Sequence, residues 1–255
     1  MIAKKFRSKK KNRLIKKSSF EFARKEFEKN QNLRFLLKSR FIWMKKYIKK
    51  EDRILEIGSG NGLIKKIIKN VVTSDIIKNP WVDLHFDMNK PKNNKKYDII
   101  ILNHSLHHCK NPIKLFYYFQ KILKKKGKIL INEPELSLIF SWILKICNHE
   151  QWNFEIDYFN YKKDKKFPRE NNAMGILLFR DKAKFENKLK FLKIKKMWVS
   201  EFFIFINSGG NLVKSPKISL NIFFLNLINL IDILLIKFFP NIFALNRSVV
   251  IKRID

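Results

Sequence analysis

The chain has 255 residues, 45% of them hydrophobic and 30% charged. That composition excludes a disordered or collagen-like chain and allows one well-buried α/β domain with additions. The formal net charge is +33, from 55 Lys+Arg against 22 Asp+Glu, and it admits two readings. One is an electrostatic footprint for nucleic acid or an anionic membrane surface. The other is compositional bias, because the lysines are spread along the whole chain. Cys109 and Cys147 suggest no disulfide framework and fit a reducing cytoplasm. The basic amino terminus has no apolar stretch before Phe20, so no secretory signal is expected.

Residues 1–17 form a basic tail, either a solvated arm or one resting on phosphate or phospholipid. In residues 18–50, Phe22, Phe27, Leu33, Leu36, Leu37, Ile42 and Tyr47 recur at three- and four-residue steps, interrupted near Asn30 to Asn32. This pattern predicts two amphipathic helices. Residues 51–135 alternate apolar runs with helical segments. Strands are expected at Arg53–Ile57, Val71–Ser74, Val82–Phe86, Asp98–Leu102 and Gly127–Asn132, and helices at Gly62–Asn70 and Pro112–Lys124. Such a rhythm means parallel pairing with right-handed crossovers. The wholly apolar run Ile99 to Leu102 suits a sheet covered on both faces.

Over residues 136–255 this rhythm breaks. The region holds an apolar helix at Leu136–Cys147, a polar and aromatic loop or lid at Asn148–Asn172, a helix at Asp181–Lys190 and strands at Phe191–Val199 and Ala244–Ile251. A long insertion with Ser208, Gly209 and Gly210 separates the two strands. Within it, Ile218 to Phe239 is nearly long enough to span a membrane. Asn221, Asn226, Asn229 and Asp232, with Ser219 and Lys237, fill one stripe of roughly 160° on a helical wheel. Packing on the domain, lying in a membrane interface and spanning the bilayer all remain open at this point. The fold class expected is α/β: a Rossmann-like, seven-stranded, mostly parallel sheet with helices on both faces, an amino-terminal helical region and a helical insertion before the last strand.

The chemistry concentrates at Gly58-Ser59-Gly60-Asn61-Gly62, which holds three of the seven glycines. The loop follows an apolar strand, where glycines allow a tight turn and close approach of a ligand to the backbone. It is not a dinucleotide fingerprint, because the third glycine of G-x-G-x-x-G is Leu63, and it lacks the Gly-Lys-Ser/Thr of a P-loop. Glu56, two residues before the first glycine, would repel a pyrophosphate but suits a ligand carrying an ammonium and a sulfonium.

"ILEIGSGNG" resembles the first motif of class I S-adenosylmethionine-dependent methyltransferases, and the resemblance runs in order from Lys50 to Glu135. It implies S-adenosylmethionine as cofactor, held by Glu56, Gly58, Ser59, Gly60, Asn61 and Gly62. Asp75 of "VVTSD" matches the acid that bonds the ribose hydroxyls, with Ile76 beside it, and Asp87 of "LHFDM" matches the acid near the adenine, with Met88 beside it. Asn103 lies in "YDIIILNHSLHH", the segment whose end faces donor and acceptor. "ILKKKGKILINEPE" resembles the family's turn from a helix into the fifth strand, with Lys126-Gly127 in place of the usual Gly-Gly. The carboxyl-terminal part is also similar to bacterial methyltransferases of cell-surface polysaccharide or lipid biosynthesis, through "EPELSLIFSWILKICNHE" and "LLFRDKAKFE".

On the acceptor side, His104, His108 and His149 are candidate general bases, against the alternative that the "LHH" histidines bond backbone groups. No C-x-x-C spacing exists, so no metal is expected. Asn103-His104-Ser105-Leu106 lacks the Asn/Asp-Pro-Pro-aromatic pattern of nucleobase amino methylation, and neither cysteine follows a proline as in pyrimidine carbon methylation. The expectation is methyl transfer, O-directed, to a small-molecule, lipid-linked or saccharide acceptor, by a cytoplasmic protein peripheral to the inner membrane. An RNA-binding protein or RNA methyltransferase, and a non-catalytic cofactor-binding member, are the alternatives.

Overall fold

The computed structural model describes residues 19–147, 151–160, 170–209 and 217–255. Residues 19–29 form helix α1, and α2 follows at Gln31–Ile42. Asn30 divides them: its side chain accepts the Leu33 N–H and starts α2. The interruption read near Asn30 is therefore a helix cap. Asn111 and Pro112 start α3 (Pro112–Ile122) in the same way, Ser137 caps α4 (Leu138–Ile146), and Asp181 caps α6 (Lys182–Lys188).

The strands are β1 (Ile54–Ile57), β2 (Val71–Asp75), β3 (Leu84–His85), β4 (Tyr97–Asn103), β5 (Leu123–Pro134), β6 (Leu192–Ser200) and β7 (Asn246–Arg253). They form one seven-stranded sheet in the order β3-β2-β1-β4-β5-β7-β6. β7 runs antiparallel to both β5 and β6, and the other pairings are parallel. Alternation along β4 fills both faces. Ile100 and Leu102 enter a core with Phe116 and Phe119 of α3, whereas Ile99 and Ile101 enter a core with Phe41 and Met44. The expected fold class is the one observed.

Several boundaries differ. No α-helix forms over Gly62–Asn70, only a 3-10 turn at Leu63–Lys66. Its N-cap position is Gly62, which has no side chain to offer, the Asn61 side chain accepts only the Leu63 N–H, and Ile64, Ile67 and Ile68 are β-branched, so local propensity is low. The strand expected over Val82–Phe86 pairs only at Leu84–His85. α3 stops at Ile122, and β5 starts at Leu123, because a register shift and a left-handed Lys126 (φ +61°) fit the lysine run into the strand. A helix not foreseen, α5 (Met174–Phe179), buries Leu178 and Phe179 in the α3-side core. Before the last strand lie α7 (Phe203–Ile206), α8 (Ile222–Phe238) and α9 (Pro240–Phe243), the helical insertion that was expected. His149, the basic tail and Gly210 lie outside the described residues, as does part of the expected Asn148–Asn172 loop.

Candidate active site

In open α/β sheets ligands bind beyond the carboxyl ends of the strands, where the strand order reverses. Here that point lies between β1 and β4, and the glycine loop leaves β1 there. Gly58 has φ +76°, and a Cβ on it would lie 2.5 Å from the Cβ of Ser105, just past β4. Only glycine fits this approach. Gly60 has φ +50°, and its absent Cβ would meet the Phe20 ring of α1 at 3.1 Å. Arg24 of α1 adds a hydrogen bond to the Asn61 carbonyl (2.8 Å), so α1 covers the loop.

The acids surround this loop. Asp75, at the end of β2, accepts the Gly60 N–H and the Ile77 N–H, each at 2.8 Å. Ile76 beside it is exposed, as a residue flanking a ligand ring would be. Asp87 accepts the Asn89 N–H at 2.8 Å, and the Met88 methyl lies 3.7 Å from the Gly58 Cβ position. Glu56 is buried, and its Oε2 has no hydrogen-bond partner. Burial, then the charge of Asp75, pushes its carboxyl up to about 7, against the Ser59 hydroxyl and Lys65, which pull it down. A buried carboxylate oxygen without a partner, just before a loop with three glycines, fits a cationic ligand such as S-adenosylmethionine.

Past β4, His104 takes a left-handed conformation (φ +50°) and donates its N–H to the Asn132 carbonyl at 2.8 Å. Its Nε2 lies 3.0 Å from Oδ1 of Asn246, at the start of β7. Asn246 in turn donates to the hydroxyls of Ser200 and Ser248 (3.1 and 3.2 Å). Ser248 donates to Asn132, whose amide reaches Asn103 Oδ1 at 3.0 Å. His108 packs against His107, with the rings tilted at 48° and their centroids 4.2 Å apart. His107 Nδ1 lies 2.7 Å from Glu133 Oε2, and the Glu133 carboxylate also accepts the N–H groups of Ser105, Leu106 and His107 (3.0, 2.7 and 3.2 Å). Glu133 therefore shapes the whole loop after β4. The sequence reading gave it no role, although it sits in the quoted "NEPE" at a strand end.

Beside this network lies a cavity of about 180 Å³, lined by Ser39, Arg40, Trp43, Trp198, Ser200, Glu201, Ile204, Asn229, Asn246 and Ser248. Arg40 and Glu201 form a buried bidentate pair at 2.9 and 2.6 Å. The indole Nε1 of Trp43 is buried without an acceptor. Of the residues expected at the site, the glycine loop, Glu56, Asp75 and Met88 meet at the end of β1, and Asn103 and His104 join the polar network. Of the cavity residues only Asn229 was marked in sequence, and then as part of the α8 polar stripe; the others come from α2 and the turn after it, from β6 to α7, and from β7.

A glycine loop after β1 with the buried Glu56 beside it, on a sheet of this order, fits a class I S-adenosylmethionine-dependent methyltransferase. The chain belongs to the methyltransferase domain family, whose model matches residues 22–177. It is an enzyme, and S-adenosylmethionine is its methyl donor. Comparison with the curated proteins finds no match. Solved structures of similar fold include a SAM-dependent methyltransferase from Archaeoglobus fulgidus, at 17% identity and TM-score 0.48, covering 86% of this chain and 93% of that one. The plantazolicin methyltransferase in complex with SAH aligns at 18% identity and TM-score 0.42, over 99% of both chains. Coclaurine N-methyltransferase bound to N-methylheliamine and SAH aligns at 13% identity and TM-score 0.46, over 84% of this chain and 72% of that one. The family assignment rests on the match over residues 22–177.

Proposed function

We propose that this enzyme methylates an oxygen of a small-molecule, lipid-linked or saccharide acceptor seated in the cavity, with His104 as general base. One observation carries the proposal. His104 stands between the two halves of the site: its neighbour Ser105 abuts Gly58 of the donor loop, while its ring bonds Asn246 of the cavity wall.

Glu56, Gly58, Gly60, Asp75 and Asp87 would hold S-adenosylmethionine, which supplies a methyl group already activated on a sulfonium. The protein then has to orient the acceptor, exclude water and accept a proton from an alcohol. Oδ1 of Asn246, whose amide nitrogen donates to Ser200 and Ser248, accepts from Nε2–H of His104, which fixes the tautomer and makes Nδ1 the nitrogen that would take the alcohol proton. Trp43 Nε1 and the cavity hydroxyls of Ser39, Ser200 and Ser248 are polar partners for an oxygen-rich acceptor.

The test has two stages. Calorimetric titration with S-adenosylmethionine, with NAD as the control ligand and Gly60→Asp as the control variant, should show binding only of S-adenosylmethionine by the wild type. Methyl-labelled donor is then incubated with separate lipid, glycan and small-molecule extracts, and the labelled product is identified. His104→Ala should lower kcat by about a hundredfold or more at unchanged donor affinity. Unchanged kcat, or label on a nitrogen atom, would overturn the O-directed mechanism.

A further inference from the structure

Helix α8 is mounted with its polarity reversed. The side facing the body carries Asp232, which is buried and accepts the N–H groups of Phe202, Phe203 and Ile204 at 2.9, 2.9 and 3.2 Å. Asn229, on the same side, lines the cavity. Leu225 and Ile236 complete the buried seam. The opposite side is exposed, and an arc of roughly 120° there is apolar throughout. It includes Phe223 (68% exposed), Leu227, Leu230, Ile231, Leu234 and Phe238 (66%).

Water alone gives no reason for such a face, and an apolar surface of this extent marks an interaction site. The neighbouring α4 shares a hydrophobic cluster with α8 through Phe140, Leu144 and Ile236, and it adds exposed Trp142 (61%) and Ile146 (82%). No helix among the described residues is long and apolar enough to cross a membrane. The Asp232 bonds hold α8 flat on the body.

We infer that α8, with α4 beside it, is an in-plane docking surface for a lipid bilayer carrying anionic lipid. Charge selects this occupant over a second copy of the chain. Two molecules of formal charge +33 repel face to face, whereas an anionic leaflet attracts them. Lys237 on α8 and Lys145 on α4 are exposed at the margins, where cations meet headgroups. Trp142 has the amphipathic ring favoured at that depth. Through Asn229, docking also sets the cavity directly behind the membrane-facing helix. The docking itself is independent of which acceptor the enzyme methylates.

The full chain is tested by flotation with vesicles of phosphatidylglycerol and phosphatidylethanolamine, alongside Leu227→Asp/Leu234→Asp. Both positions are exposed, so the fold should persist, as circular dichroism and S-adenosylmethionine titration will show. The wild type should float, retain part of its binding at about 0.5 M salt, where surface charges are screened, and lose about tenfold or more of its partition in the variant. Equal partition of the two proteins would overturn the inference. So would binding abolished by salt alone, or a wild-type dimer in sedimentation that becomes monomeric in the variant while neither form floats. Because donor binding is measured on the same samples, failure of docking and failure of the methyltransferase reading are separately visible.

Discussion

At the residue scale, Glu56 holds the largest electrostatic tension in the site. Its carboxyl is pushed from 4.5 up to about 7, first by burial and then by the charge of Asp75. In the unfolded chain the group ionises near its ordinary value, while the folded protein resists ionisation. Stability of the ligand-free protein from this group is therefore full below about pH 4.5 and falls as pH rises to about 7, where the loss levels off. Glu56→Gln should flatten that slope and raise stability at pH 8 by an amount on the order of 2–3 kcal/mol. The same substitution should weaken S-adenosylmethionine binding, because it removes the anion facing a cationic ligand. Urea unfolding across this pH range decides the matter, and an unchanged slope in the variant would clear Glu56 of it. The motif made Glu56 and Asp75 legible in sequence. Glu133 and Asn246 were not, because each is a single polar residue with no spacing signal. Glu133 reaches the loop after β4 through the β4–β5 register, which pairs Asn103 with Asn132, and Asn246 reaches it through the β5–β7 register, which pairs it with Pro134.

At the element scale, caps and alternation did most of the work. Asn30, Asn111, Ser137, Asp181 and Asn221 each start a helix by accepting a backbone N–H. Gly62 to Asn70 has a glycine at its cap position, and its apolar residues fill the α2-side core without an α-helix. Helix α8 shows the limit of a wheel diagram: it finds the polar stripe but not which side faces the body. Asp232 makes that choice by satisfying three N–H groups around the start of α7. Burial raises its carboxyl pKa despite those three bonds, so the site holds a costly charge for their sake. Asp232→Ala should strand the N–H groups and lower stability by about 2–4 kcal/mol in urea unfolding. A loss under about 0.5 kcal/mol, typical of surface substitutions, would mean that α8 is held by apolar contacts alone.

At the scale of the whole molecule, the amino-terminal helices are fastened to the insertion before the last strand. Arg40 of α2 pairs with Glu201, Asn32 donates to the carbonyls of Asn207 and Ile218 (2.8 Å each), and Asn30 donates to Ser208 at 2.7 Å. The cavity exists because these parts close against β6 and β7. Glu201→Leu leaves Arg40 as an uncompensated buried charge and should cost about 3–5 kcal/mol. Arg40→Met/Glu201→Leu, with both charges gone, should recover most of that loss. Denaturant titration of the two variants separates them, and equal destabilisation would show that the pair matters for packing and not for charge.

Local pattern along the chain was enough to place the sheet, the glycine loop and the acids beside it, and to point to the methyl donor. These depend on short-range patterns: period-two alternation, clustered glycines, and an acid at a fixed offset from a turn. Tertiary structure alone decided the cavity, the partner of His104 and the outward face of α8. Those depend on residues far apart in the chain, such as His104 and Asn246, brought together by strand order, and no local pattern encodes that meeting.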